Sequence, residues 1–280
     1  MRFRFLVPVV IITLALLFFF GARHFQAESS NREPEAVAIL MYHKINPDRH
    51  AGGLGLRVPP DKFAWQMNYL KNHGYTVISI DDAFSFLRGK KVLPPKPVVI
   101  TFDDGYRDNY FYAWPILREY GFCATIYQVV NSTGRYNFFD AGCGRQPRCR
   151  MLNWNEIREM KASGLVTFGA HTMDHPRLTK LSAEEARRQI AASKKILERE
   201  LRCRVDHFCY PYGDFNPQVA EIVKAAGFKT AVTSVQGINY KGDDPFTLKR
   251  IRVTGHYSNH EFVYRLTREF RAKPDRSVQS

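Results

Sequence analysis

The stretch PVVITFDDGY, residues 97–106, decides the fold prediction, because it joins an apolar run directly to two carboxylates and a glycine. An apolar run of this length, without regular polar alternation, is typical of a strand buried on both faces, as in a parallel sheet. Gly105 permits a sharp turn immediately after the carboxylates. The stretch therefore predicts a buried parallel strand that ends in chemically reactive side chains.

The same order of apolar run, polar turn and amphipathic helix recurs along the chain. Apolar runs predict strands at 36–42, 76–80, 97–102, 124–130, 165–170, 206–211, 229–234 and 246–253. Helical periodicity predicts helices at 60–75, 81–89, 109–122, 153–164, 182–202, 216–228 and 259–271. This alternation predicts an α/β fold, and about seven such units favour a closed or nearly closed barrel over an open sheet.

The composition favours one folded domain. The 280 residues are 45% hydrophobic and 24% charged, which argues against disorder. We predict an N-terminal targeting segment at 1–27, a polar linker at 28–35, a single domain at 36–272 and a polar tail at 273–280. The longest stretch without regular periodicity, 131–152, is predicted to be a loop or lid.

The N-terminal segment, residues 1–27, starts with two arginines, and an uncharged apolar run follows from Leu6 to Ala22. As a helix this run covers about 25 Å, near the lower limit for a bilayer. The arginines favour a cytoplasmic N-terminus. Ala27, preceded by the bulky Phe25, is a poor cleavage site, so we favour an uncleaved signal-anchor over a signal peptide. We expect a domain anchored in the cytoplasmic membrane and facing the periplasm or cell exterior, or secreted if the segment is cleaved.

The net charge of +14 suggests an anionic neighbour, such as a membrane face, an acidic cell-wall polymer or nucleic acid. The simpler interpretation is a solvated basic surface without a specific partner. The sequence has neither a zinc-finger nor an RNA-binding aromatic signature, so we expect no nucleic-acid partner. Among the five cysteines, Cys143 and Cys149 flank a short polar loop and could form a disulfide in an oxidising compartment.

Polar side chains follow several predicted strands at the point where each strand ends. They are His43, Asp103, Asp104, His171 and the segment YPYGD at 210–214. The carboxyl ends of parallel barrel strands lie at one rim, so we expect these residues to meet there. Adjacent carboxylates on an extended backbone point to opposite sides, which would let Asp103 and Asp104 hold different roles.

His171 and His175 are four residues apart in GAHTMDHPRL, residues 169–178. Metalloproteases use this spacing on a helix, but here a predicted strand precedes the pair and Pro176 follows it. Such a pair alone is more often surface or packing than a metal site. The two carboxylates at a neighbouring strand end make a metal site the favoured interpretation. Two histidines and one carboxylate suit catalytic Zn²⁺, and Fe²⁺, Co²⁺ or Ni²⁺ could replace it.

Three motifs carry a resemblance to a known family: TFDDGY at 101–106, HTMDHP at 171–176 and YPYGDFN at 210–216. In this order and spacing they resemble the polysaccharide deacetylase family (carbohydrate esterase family 4) over residues 36–255. The resemblance implies a distorted (β/α)7 barrel as a single catalytic domain with one divalent metal, most readily Zn²⁺. It also implies removal of acetyl groups from N-acetylated sugar polymers or, less often, from acetylated xylan.

The resemblance assigns roles by motif position. Asp103 would be the general base, and Asp104, His171 and His175 would hold the metal. The backbone N–H of Tyr212 would match the family's oxyanion donor.

The sequence departs from the common family pattern in two places. Cys209 stands where the family usually has an arginine that orients the base, and Arg250 or Arg252 could supply it; we favour Arg250. The usual C-terminal histidine motif for the general acid is missing. Instead LMYHKI, at 40–45, resembles the poly-N-acetylglucosamine deacetylase branch with permuted motifs. We therefore predict His43 as the acid, with His256 as the competing candidate.

The predicted substrate is an N-acetylated cell-surface or cell-wall polysaccharide: poly-N-acetylglucosamine, peptidoglycan or chitooligosaccharide. The enzyme would be a hydrolase of carbon–nitrogen bonds other than peptide bonds. Tyr106, Tyr210, Tyr212 and Tyr257 are predicted to stack on sugar rings near the rim. Two alternatives stay open. One is an O-deacetylase of acetylated xylan; the other is an inactive, membrane-tethered glycan-binding module, which the missing third-motif arginine favours.

Overall fold

The computed structural model describes residues 35–141 and 146–271. Its strands are β1 (Ala36–Tyr42), β2 (Lys44–Ile45), β3 (Arg57–Val58), β4 (Thr76–Val77), β5 (Pro97–Phe102), β6 (Ala124–Gln128), β7 (Val166–Ala170), β8 (His207–Cys209), β9 (Thr230–Gln236), β10 (Asn239–Tyr240) and β11 (Leu248–Arg252). Its α-helices are α1 (Pro60–Asn72), α2 (Ile80–Leu87), α3 (Trp114–Tyr120), α4 (Phe138–Ala141), α5 (Trp154–Ala162), α6 (Ala183–Leu201), α7 (Pro217–Ala225) and α8 (Asn259–Arg271).

Parallel strands close into a barrel in the order β1, β11, β9, β8, β7, β6 and β5, and β5 pairs back onto β1. Strand β4 extends the sheet beyond β5, while β10 pairs antiparallel with β1. The barrel is distorted because β8 has only three residues and the β11–β9 register shifts between Leu248 and Arg250. The predicted α/β class and distorted (β/α)7 barrel are confirmed.

Alternating side chains of the barrel strands build two separate cores. Val37, Ile39 and Val99 point into the barrel and pack with helix α2, which closes the amino-terminal end of the barrel. The intervening residues, such as Leu40 and Ile100, point outward and pack against the surrounding helices. This two-residue period is the ordinary geometry of a strand whose two faces are both covered.

The inward phase continues past the carboxyl ends of the strands. His43 and Asp103 lie an even number of residues after Val37 and Val99, the inward residues of β1 and β5. Arg250 lies two residues after the inward Leu248 of β11. The fold therefore directs polar residues from separate strands toward the mouth of the barrel.

Two predicted segments differ from the structure. The predicted helix at 109–122 is a π-helical turn, Asn109–Ala113, followed by α3. Pro115 lies in the first turn of α3, where its missing N–H costs no helical hydrogen bond. The predicted loop at 131–152 contains a 3₁₀ turn and α4, and antiparallel bridges tie it down at Tyr136 and Met151.

Several predictions concern residues outside the described ranges. They are the N-terminal segment at 1–27, the linker up to residue 34, the tail at 273–280 and Cys143 of the predicted disulfide. Cys149, its predicted partner, carries a free thiol. In the described part of the chain, none of the helices combines the length and apolar character needed to cross a membrane.

Candidate active site

Asp104, His171 and His175 converge at the mouth of the barrel. Asp104 Oδ1 lies 3.4 Å from Nε2 of His171 and 3.4 Å from Nε2 of His175. All three side chains are buried. Ligand atoms about 2.1 Å from a tetrahedral metal ion lie about 3.4 Å from one another. The spacing of this triad therefore fits a divalent metal held by two imidazoles and one carboxylate.

Neighbouring groups hold the ring of His171 and the backbone around His175. His171 Nδ1 lies 2.7 Å from the carbonyl oxygen of Cys209, so it donates there and leaves Nε2 facing Asp104. The backbone N–H of His175 donates to Thr172 Oγ1 at 2.9 Å. Gln189 Oε1 accepts from the backbone N–H groups of Met173 and Asp174. The contact to Cys209 fixes the tautomer and ring position of His171, as a metal site needs. The Nδ1 atom of His175 is buried and has no hydrogen-bond partner among the described residues.

The backbone around the triad is left-handed at several non-glycine residues. Positive φ angles occur at Asp104 (73°), Thr172 (67°), His175 (60°) and Tyr212 (61°). This corrects the expectation that Asp103 and Asp104 point to opposite sides of an extended backbone. The turn at Asp104 brings its carboxylate back, so both aspartates line the same cleft. Such conformations cost about 1–3 kcal/mol each and cluster at functional sites.

Two glycines permit this close packing. Gly105 has a φ of 83°, and a Cβ there would overlap the side chain of Gln128. Gly213 has a φ of 67°, and a Cβ there would overlap Ser234. Both positions follow a left-handed site residue directly, so the turns at the ends of β5 and β8 have no room for a larger residue.

Arg250 holds Asp103 through a bidentate ion pair. Its Nη1 and Nη2 atoms each donate to one carboxylate oxygen at 2.7 Å, and its Nε donates to the carbonyl oxygen of Thr233. Nη1 also donates to Thr101 Oγ1 at 3.1 Å. Burial alone would raise the pKa of Asp103, but the Arg250 guanidinium holds it below its ordinary value. Asp103 is therefore an ionised, oriented carboxylate.

Cys209 leaves space for this arginine. Arg250 Nη2 lies 3.4 Å from Cys209 Sγ, so a guanidinium from β11 occupies the region beside β8. Asp103, His171 and Cys209 also bring three ligand atoms together. The guanidinium already occupies Asp103 and contacts the sulfur, so these three residues are a poorer metal site than the triad with Asp104.

His43 is the predicted acid that lies in the cleft. Its Nε2 is 3.9 Å from Asp103 Oδ2, and 15% of its side chain is exposed. Burial lowers the pKa of His43, while the Asp103 carboxylate opposes that shift. The competing candidate, His256, is exposed on the loop after β11 and does not line the cleft.

The cleft has a volume of about 310 Å³, and its walls correct two of the tyrosine predictions. Tyr106 is completely buried, and its hydroxyl donates to Asp140, so its ring presents no face to a sugar. Tyr210 contributes to the cleft wall, but it is also completely buried, stacks on Phe215 and donates to the carbonyl oxygen of Phe246, so its ring is not free to stack on a sugar.

The other two tyrosines differ from each other. Tyr257 is partly exposed but packs beneath Arg265 and does not line the cleft. Tyr212 does line it, and its ring centroid lies 4.5 Å from that of His175. Only Tyr212 of the four predicted tyrosines therefore has its ring beside the predicted metal ligands.

The sequence interpretation missed two charged residues of the cleft. Arg177 follows His175 by two residues in the same loop, which is a local signal that could have identified it. Asp140 comes from α4 within the predicted loop, where no periodicity or motif pointed to it. Asp140 alone enters the site through tertiary packing of a separate segment.

Comparisons with known proteins agree with this geometry. A family model described as polysaccharide deacetylase matches residues 90–231. The Bacillus subtilis protein YxkH, whose name assigns it to the polysaccharide deacetylases, is 30% identical over 230 residues, or 82% of this chain and 76% of its own. A Staphylococcus aureus poly-beta-1,6-N-acetyl-D-glucosamine N-deacetylase is 26% identical over 211 residues, or 72% and 70%. The structure of Streptococcus pyogenes deacetylase PplD in complex with acetate has a TM-score of 0.71 and 28% identity, over 83% of this chain and 99% of that chain.

Proposed function

This chain belongs to the polysaccharide deacetylase family, and on that premise we propose that it is a metal-dependent hydrolase that removes N-acetyl groups from cell-surface or cell-wall polysaccharide. The observation that carries the proposal is the triad of Asp104, His171 and His175 beside the Arg250-paired Asp103 in one cleft. The Staphylococcus aureus relative, named for an N-acetylated polymer, supports the N-acetyl group as the target.

Asp104, His171 and His175 would hold the divalent ion, for which Zn²⁺ is the first choice. When bound, the ion supplies a Lewis acid that polarises the acetyl carbonyl and acidifies the attacking water. The Nε2 atoms of both histidines face Asp104, and the hydrogen bond to Cys209 fixes the tautomer of His171. The residues therefore fit the ion without a change of rotamer at His171.

Asp103 is the general base. Arg250 keeps its carboxylate ionised and fixes both of its oxygens, so the carboxylate is ready to take a proton from the attacking water. The backbone N–H of Tyr212 is the proposed donor to the tetrahedral oxyanion. One such donor contributes about 3 kcal/mol of transition-state stabilisation.

His43 is the general acid for the leaving nitrogen. Because burial lowers its pKa, the resting imidazole is neutral near pH 7 and must first gain a proton. Asp103 Oδ2 is 3.9 Å from His43 Nε2, so the proton taken from water has a short route to the imidazole. His43 then protonates the amine as the carbon–nitrogen bond breaks, which closes the proton balance of hydrolysis.

The inactive-module alternative rested on the missing third-motif arginine. The bidentate pair between Arg250 and Asp103 removes that reason, because the base has its guanidinium from another strand. We also propose that the domain works outside the cytoplasm, anchored through residues 1–27. The arginines and apolar run of that segment support this location.

Acetate release from a panel of polymers tests the proposed function. The panel contains poly-N-acetylglucosamine, chitooligosaccharide, peptidoglycan and acetylxylan, and bound metal is measured on the same protein by elemental analysis. We expect acetate from at least one N-acetylated polymer and about one metal ion per chain. Release from acetylxylan alone would favour the O-deacetylase. Bound metal without acetate from any polymer would favour the binding module.

A further inference from the structure

Two arginines of the cleft have no part in the hydrolytic chemistry. Arg177 belongs to the loop after β7, and Arg252 is the last residue of β11. Both line the cleft that holds the triad and Asp103, and both are accessible to solvent. A basic residue at a cleft wall attracts an anionic ligand only if its guanidinium is not already neutralised, so their partners decide what they do.

Arg177 is only weakly paired. Its closest carboxylate oxygen, Asp214 Oδ2, is 4.0 Å away, and that oxygen already accepts from Thr179 Oγ1 at 2.6 Å. The guanidinium carbon lies 4.3 Å from the centroid of the Tyr212 ring, and that ring lies against His175. The Tyr212 ring therefore lies between the Arg177 guanidinium and His175 of the metal triad. Half of the Arg177 side chain stays exposed.

Arg252 is positioned by the two-residue period of its strand. It follows Arg250 by two residues and shares its inward phase, but as the last residue of β11 it lies at the rim of the barrel. Its Nη2 donates to the carbonyl oxygen of Gly55 at 3.1 Å. Within residues 35–141 and 146–271, no carboxylate oxygen lies within ion-pair distance of its guanidinium, so no ion pair compensates its positive charge.

The carboxylates of the cleft are buried and already have partners within it. Asp103 is paired with Arg250, and Asp104 lies against two imidazoles. Asp140 is buried and accepts from the Tyr106 hydroxyl, so it presents little surface to a ligand. The accessible charge at the cleft walls is therefore positive, and it comes from two separate elements of the rim.

We propose that Arg177 and Arg252 form an anionic subsite that selects glycans carrying a carboxylate or phosphate on or next to the acetylated sugar. The inference rests on the proposed function, because it concerns substrate choice by the same site. Guanidinium groups bind carboxylates and phosphates through paired, charge-assisted hydrogen bonds. A neutral polymer gains nothing from these two charges, whereas an anionic polymer gains both affinity and a fixed orientation of its acetyl group.

Matched substrates separate charge from the rest of the polymer. The carboxylate arm compares peptide-free peptidoglycan strands, which carry lactyl carboxylates, with the same strands converted to methylamides. The phosphate arm compares chitooligosaccharide with its 6-phosphate. We expect kcat/KM for one charged substrate to exceed that of its neutral partner by about tenfold or more, mainly through KM. The advantage should shrink as salt rises from about 50 to about 500 mM, because salt screens exposed charges.

Three variants assign the effect to residues. R177Q and R252Q should each remove most of the charged-substrate advantage and leave the neutral partner within about threefold of wild type. R199Q is the matched control, because it removes the same charge from an exposed residue of α6 outside the cleft and should change neither substrate. Calorimetric binding of the same substrate pairs gives a readout that does not need turnover.

The outcomes separate this inference from the proposed function. Absence of acetate from every polymer would refute the proposed function, and calorimetry would still report whether the charged partner binds more tightly. Acetate release with equal kcat/KM for charged and neutral partners in both arms would overturn the subsite alone. Equal losses on charged and neutral substrates in both R177Q and R252Q would also overturn it, because that result assigns the arginines a general structural role.

Discussion

Two buried histidines of the barrel interior contact aspartates, and they lie at opposite ends of the barrel. His171, directly after β7, has its Nε2 3.4 Å from Asp104 at the carboxyl end. His207, the first residue of β8, has its Nε2 3.3 Å from Asp81 of α2 at the amino end. Residue types, burial of the histidine and distance are nearly the same, so these features alone do not identify a metal site.

The surroundings of the two pairs differ. His207 bonds Thr230 Oγ1 through Nδ1, and its partner Asp81 has 55% of its side chain exposed. Asp104 is 5% exposed and shares one oxygen between two histidines, on a left-handed backbone. A third converging ligand atom, a desolvated carboxylate and local backbone strain therefore distinguish the His171–Asp104 pair. The His207–Asp81 pair has the features of a structural contact whose hydrogen-bonding groups are satisfied.

Replacement of His171 should have the largest effect. H171A removes one of three ligands, so we expect loss of bound metal and of detectable acetate release. Elemental analysis and the acetate assay on one preparation measure both. Metal removal from wild type with a chelator should lower its melting temperature, because the ion stabilises only the folded state, and H171A should lack that response. Full metal occupancy in H171A would place the ion elsewhere.

Asp103 tests whether base and metal ligand are separate functions of adjacent residues. D103N keeps the shape of the side chain but cannot accept a proton, so acetate release should fall by about 10³-fold or more. Bound metal should stay at the wild-type level, because Asp104 supplies the carboxylate ligand. The matched variant D104N should lose metal instead. Full activity in D103N would show that the role assignment is wrong.

Arg250 has a smaller expected effect on rate and a distinctive effect on pH dependence. R250K keeps a positive charge but cannot donate to both oxygens of Asp103, so kcat should fall by about 10–100-fold. Arg250 holds the pKa of Asp103 below its ordinary value, and a weaker partner lets that pKa rise. The carboxylate is then lost at higher pH, which moves the acid limb of the kcat/KM profile upward. An unchanged limb would contradict this role.

The sequence predicted the barrel and its rim for a simple physical reason. Unbroken apolar runs and a two-residue period are local properties, and strand ends meet at one rim in any parallel barrel. His43, Asp103 and His171 could therefore be grouped from their positions at strand ends alone. Because Cys209 stands where the family usually has an arginine, the sequence also pointed to Arg250 as the residue that orients the base. The strand order brings Arg250 beside Asp103.

The remaining features depend on tertiary structure. The left-handed turn at Asp104 is forced by its surroundings and has no local signal at a non-glycine residue, so the expected opposition of the two aspartates was wrong. Tyr106 and Tyr210 follow the motif pattern, but packing turns their rings into the protein. Asp140 reaches the cleft from a long irregular segment, whose path the local sequence does not determine.

Replacement of His207, at the amino end of the barrel, should have the smallest effect. H207Q should leave metal content and kcat/KM unchanged, because His207 lies at the end of the barrel remote from the triad. We expect a loss of about 1 kcal/mol in the free energy of unfolding, since glutamine replaces only part of the contact to Thr230 and Asp81. For a chain of this size the melting temperature would fall by about 2–4 °C.

D81N is the matched partner variant, and thermal unfolding measures both. Asp81 is half exposed, so water can compensate for much of its lost ion pair, and we expect D81N to be the milder of the two. Loss of metal or of activity in H207Q would show that His171 and His207 share one function. The presence of a third nearby ligand atom would then not distinguish a metal site from a structural contact. A pure stability effect would instead make that convergence the deciding feature.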